Sequence, residues 1–85
     1  HAVQRMAERG IDEADVRRVL ETGEVIAEYP DDVPLPSRLV LGRSGIRPLH
    51  VVACDNDAEQ ATIVITVHEP GPDQWEPDFR TRRTR

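Results

Sequence analysis

The stretch Ser37-Arg38-Leu39-Val40-Leu41-Gly42-Arg43-Ser44-Gly45-Ile46-Arg47-Pro48-Leu49-His50-Val51-Val52-Ala53-Cys54 decides the fold. Two aliphatic, β-branched runs flank Arg43-Ser44-Gly45, a tight-turn composition. They read as antiparallel strands over 37–42 and 46–54. Pro48 suits an edge or a bulge, because proline cannot donate to a ladder. Downstream, Asp55-Asn56-Asp57 opens the next turn, 61–69 is a further strand, and Pro70-Gly71-Pro72 ends it. Upstream, 24–29 is a short strand. Pro30, Pro34 and Pro36 make a stiff, acidic connector from it to the hairpin. Beyond Pro72, one helical turn is expected to drop Trp75 and Phe79 onto the core.

Ahead of the strands the spacing turns helical. Ala2, Val3, Met6 and Ala7 form one apolar stripe over 1–9, and Gly10 ends it as a left-handed cap. A second helix starts at Asp12, a good N-cap. Asp15 stands three residues on, in the capping-box position usually held by Glu, and Ile11 and Val16 occupy the two staple positions. Val16, Val19 and Leu20 carry the apolar face, and Gly23 stops the helix. The expected fold is therefore α+β: two N-terminal helices packed on one face of an antiparallel sheet of about four strands. At 85 residues the chain has room for one domain, spanning 1–85.

Composition narrows the class. Hydrophobic residues at 38% and charged residues at 32% describe a globular chain. The longest apolar run, 61–67, has seven residues, too few to cross a bilayer, so no membrane is expected. A single cysteine, Cys54, excludes a disulfide within the chain and fits a reducing, cytoplasmic compartment. No His-x-x-x-His pair or cysteine set points to a metal, and no glycine-rich loop points to a nucleotide cofactor, so neither is expected. The chain begins at His1 rather than Met, so a native start ahead of it is expected.

Net charge is −5, which argues against a general polyanion binder. Its distribution says more. All eleven basic residues are Arg, and Arg80, Arg82, Arg83 and Arg85 fall in the last six positions. The remaining residues hold seven Arg against sixteen acids, so a basic tail from about 80 follows an acidic body. Three readings of that tail stand: a solvated end, a phosphate or RNA contact, or a latch on the acidic body.

Parity along the strands assigns faces. One face collects Leu39, Leu41, Leu49, Val51, Ala53, Ile63, Ile65 and Val67, and is expected under the helices. The other collects Arg38, Val40, His50, Val52, Cys54, Thr62, Val64, Thr66 and His68. It is mixed, which suits a groove or partner surface, unless the C-terminal segment folds over it. On this face His50 and His68 stand ready as general acid and base, with Arg38 beside them to grip a phosphate by two parallel hydrogen bonds. These are the parts of a metal-independent ribonuclease, although two histidines on one sheet face also arise for structural reasons alone. His1, Arg5 and Arg9 share a helix face and would form a second cationic wall, or simply a solvated one.

The run 1–11, Asp15-Val16, Gly23-Glu24-Val25-Ile26, Tyr29-Pro30-Asp31-Asp32, Pro48-Leu49-His50-Val51-Val52 and Ile65-Thr66-Val67-His68-Glu69-Pro70 resemble, in order, the DUF4258 family of small bacterial proteins. The resemblance implies a RelE/ParE-like fold, whose usual first strand would precede His1. It also implies a toxin of a type II toxin–antitoxin pair, many of which cleave mRNA, with a cognate antitoxin, often of the zinc-finger YgiT type, as partner. His1, Arg5, Arg9, Tyr29 and His50 match the family's recurring polar positions. His68 stands where the family leads one to expect Tyr, which puts its proton-transfer role in question. The expected site is thus His50, His68 and Arg38 for catalysis, with His1, Arg5, Arg9, Tyr29, Arg80, Arg82 and Arg83 holding RNA, free or on the ribosome. A silent protein- or RNA-binding module and a gyrase-inhibiting toxin are the alternatives. A free sheet edge would also favour a homodimer.

Overall fold

The computed structural model describes residues 11–83. The one helix among the described residues, α1 (Glu13–Thr22), begins where local chemistry places it. The Asp15 N–H donates to the Asp12 carboxylate at 2.9 Å, and the Asp12 N–H donates to the Asp15 carboxylate at 3.3 Å, closing the capping box. The Gly23 N–H donates to the Val19 carbonyl at 2.7 Å and ends the helix. The expected helix over 1–9 lies outside the described residues.

Four strands follow: β1 (Glu24–Tyr29), β2 (Ser37–Ser44), β3 (Arg47–Asn56) and β4 (Ala61–His68). They form one antiparallel sheet in the order β1-β2-β3-β4. Gly45 turns the β2–β3 hairpin with φ +63°, a conformation glycine adopts without steric cost.

α1 lies on β2 and β3. The core between them is Ile11, Val16 and Val19 against Val40, Leu49, Val51, Ala53 and Val67. Gly42 lets the helix come this close: a Cβ there would sit 2.6 Å from Val19 Cγ2. Ser44 Oγ donates to the Asp15 carboxylate at 2.6 Å and pins the start of the helix to the end of β2. That bond, followed by the one from Asp12, holds the Asp15 carboxyl below its ordinary range.

The faces need two corrections. Leu39 and Leu41 were expected under the helix, but Val40 pairs with Val51 and Gly42 with Leu49, so Val40 and Gly42 take the helix side. Arg38 goes with them, paired with Ala53. In β4 a register shift between the Val52–Thr66 and Ala53–Val64 pairs inserts Ile65 as a bulge. Val64 therefore joins the helix side, while Ile63 pairs with Cys54 on the other face. Ile63 and Ile65, both expected in the core, are 45% and 47% exposed.

Candidate functional site

The face away from α1 carries one row that crosses all four strands. Glu24 pairs with Leu41, Leu41 with His50, and His50 with His68. The two imidazoles sit edge to face with ring centroids 5.5 Å apart.

Over this row lies the C-terminal segment. The Gly71 carbonyl accepts from the N–H groups of both Gln74 and Trp75 in a single turn that ends there, so the helical turn expected to carry both Trp75 and Phe79 does not form, and Phe79 lies instead near the tip of a hairpin. The chain then doubles back in a small hairpin. Trp75 bridges Arg82, the Glu76 N–H donates to the Thr81 carbonyl at 2.8 Å, and the Arg83 N–H donates to the Gln74 carbonyl at 2.9 Å. Asp78 holds the tip, accepting from the N–H groups of Arg80 and Thr81. These bonds, Arg80's first, lower its pKa. Phe79 sits at φ +57°, an uncommon conformation for a bulky side chain. Trp75 meets the sheet on the face away from α1, not in the helix-side core, with its ring 4.5 Å from the His50 ring.

His50 is the pivot. It is fully buried. Its Nε2 lies 2.7 Å from the Phe79 carbonyl oxygen. A carbonyl can only accept, so Nε2 carries the proton and the neutral ring leaves Nδ1 as a bare acceptor. Nδ1 is the one buried side-chain polar atom among the described residues that lacks a hydrogen-bond partner. Burial pushes the His50 pKa below its ordinary value, with the bond to Phe79 opposing the shift. The base form is therefore the resting form.

Between hairpin and sheet runs a cleft of about 390 Å³, to which Tyr29, His50, His68, Trp75, Arg80 and Arg82 contribute. Leu39 and Val52 also line it. The Arg82 guanidinium lies 5.5 Å from the Trp75 ring centroid, and Arg43 reaches the Phe79 ring at 6.0 Å. Arg80 forms an ion pair with Glu24 at the β1 end of the row.

The structure thus brings together His50, His68, Tyr29, Arg80 and Arg82. It does not bring in Arg38, which faces the helix side and donates to Asp55 at 2.9 Å. Thr62 Oγ1 and Arg38 both bind that carboxylate and lower its pKa, Thr62 first. Arg83 turns away as well, to Glu76 at 3.5 Å and the Pro72 carbonyl at 2.8 Å. His1, Arg5 and Arg9 lie outside the described residues. Sequence reasoning missed Glu24 as the partner of Arg80 and Trp75 as the wall against His50. The tail's excess of Arg over an acidic body was the only signal for the first, and nothing local signals the second. Among the described residues, no group of His, Cys, Asp and Glu is placed to hold a metal ion, and no helix is long and apolar enough to cross a membrane.

Fold and site together define a small α+β domain in which the sheet supplies imidazole groups and the overlying hairpin supplies guanidinium groups to one roofed cleft. The family model described as "Domain of unknown function (DUF4258)" matches residues 1–69, and the chain belongs to that family. The hairpin over the cleft lies beyond the matched span. No curated protein and no solved structure matches the chain.

Proposed function

We propose that this domain is an RNA-cleaving toxin of a type II toxin–antitoxin pair, built on a RelE/ParE-like fold. The observation that carries the reading is the pairing of His50 with His68 in one cleft with Arg80 and Arg82. In this scheme His50 Nδ1 accepts the proton of a ribose 2′-hydroxyl. The 2′-oxygen attacks the adjacent phosphorus, the bond to the 5′-oxygen breaks, and His68 in its imidazolium form protonates that leaving oxygen. The products are a 2′,3′-cyclic phosphate and a 5′-hydroxyl. Arg80 and Arg82 take the place first given to Arg38, holding the non-bridging oxygens as charge builds on them. Tyr29 borders the bound nucleotide. The working compartment is the cytoplasm, and the partner is a cognate antitoxin that blocks the cleft.

The test is cleavage of single-stranded RNA by the purified chain. Replacing either imidazole, His50→Ala or His68→Ala, should lower the rate about 10²–10⁴-fold. Equal rates in the variants and the parent would refute the assignment. A silent RNA-binding module is the second reading, favoured by the complete burial of His50. It predicts RNA binding without cleavage.

A further inference from the structure

The hairpin over 74–83 crosses the row Glu24–Leu41–His50–His68 and is fastened along it. At the β1 end Arg80 pairs with Glu24. In the middle the Phe79 carbonyl accepts from His50 Nε2, and Trp75 covers the ring. Closed, the hairpin carries two costs: Phe79 at positive φ, and His50 Nδ1 buried without a donor. Its fastening to the sheet is weak at one point. Both side chains of the Glu24–Arg80 pair are about half exposed, at 52% and 50%, and exposed pairs contribute little. A phosphodiester, like the Glu24 carboxylate, presents Arg80 with two anionic oxygens, so it can compete for the contact that Arg80 Nη2 makes with Glu24.

We propose that the Glu24–Arg80 ion pair is a latch that an RNA phosphate replaces, and that the exchange lifts the hairpin off His50. The inference rests on the reading that the cleft takes a phosphodiester backbone. Glu24 is then a gate residue: it holds Arg80 until a polyanion competes for it. Ligand entry and uncovering of the His50 base become one event, so the buried imidazole is shielded until RNA is in place.

The test uses the whole chain and a single-stranded oligonucleotide with 2′-deoxy sugars, which binds but cannot be cleaved. Trp75, the only tryptophan, reports the hairpin. On saturation its emission should shift to longer wavelength, and the slowly exchanging NMR signal of the His50 Nε2 proton should disappear. Glu24→Gln should tighten binding about three- to fivefold, the scale of one exposed ion pair. Glu21→Gln, three residues earlier on α1, removes the same charge and should leave the affinity unchanged. Binding with the His50 proton signal intact, or equal affinities for the two variants, would overturn the latch and leave the RNA reading standing. Failure of the oligonucleotide to bind any form would overturn both.

Discussion

Mild acid should weaken this fold through His50. The folded ring is buried and its pKa is lowered, chiefly by desolvation. In the unfolded chain the same ring titrates near its ordinary value of 6.5. The sign follows. Above that value neither state binds the proton. As the pH falls below it, the unfolded state takes up a proton that the folded state refuses, so stability drops until the folded ring also titrates. The slope is at most about 1.4 kcal/mol per pH unit, so between about pH 6.5 and pH 5 the loss is bounded near 2 kcal/mol. For a chain of 85 residues, with total stability on the order of 4–13 kcal/mol, that is a large share. The carboxylates do not blur this window. Asp15, Asp55 and Asp78 all have lowered pKa values, so their stabilising effect is present above the ordinary carboxylate range and lost only below it. Urea unfolding followed by Trp75 emission, run at several pH values on the parent and on His50→Leu, measures the effect. The parent should lose stability over the window and His50→Leu should lose less, the difference being the His50 share. Identical slopes would refute the burial argument.

Gly42→Ala should destabilise by about 1–3 kcal/mol, because the added methyl meets Val19, which is fully buried, at 2.6 Å; chemical denaturation reads it directly. Asp12→Ala removes one half of the capping box and should lower stability by about 1 kcal/mol in the same assay. Arg38→Ala should leave RNA binding and cleavage near the parent level, since Arg38 lies across the sheet from the cleft, while Arg80→Ala and Arg82→Ala should weaken binding and reduce its salt dependence.

What the sequence disclosed was local. Asp12 and Asp15, Ile11 and Val16, and Gly23 stand within one or two helical turns of each other, so the second helix could be read from spacing. The strands could be bounded because turn residues interrupt apolar runs. The faces of β2 could not be read. Leu39, Val40 and Leu41 are all apolar, so alternation carries no sign there. The deciding fact is the approach of Val19 to Gly42, a contact between distant parts of the chain. The C-terminal hairpin makes the ambiguity worse, because it covers the second face and both faces then tolerate apolar residues. The Ile65 bulge likewise shifts half of β4 by one residue, and no residue type in that run announces it. His50 and His68 kept their shared face because their pair lies on one side of the bulge, His50 before it in β3 and His68 after it in β4. Arg38 has the parity of Val40, and so was carried with it to the helix side.

Among the described residues, the other buried side-chain polar atoms have partners, and several partly exposed groups are closed against each other. Asp12 and Asp15 cap reciprocally, Ser44 binds Asp15, and Arg38 and Thr62 share Asp55. Apart from Gln60, at φ +51° in the turn between β3 and β4, the costs gather around one cleft. A neutral imidazole with an unmet acceptor lies on the row that begins at Glu24 and ends at His68, and a phenylalanine at positive φ and a guanidinium bordering the cleft lie on the hairpin that crosses it. A domain this small gains little by burying histidine there: an aliphatic side chain at position 50 would fill the space without an orphaned nitrogen. Proteins tolerate such broken local rules chiefly at ligand clamps, switches and active sites. That concentration of uncompensated chemistry, more than the presence of any one residue type, is why the cleft under the hairpin is the place to look for activity.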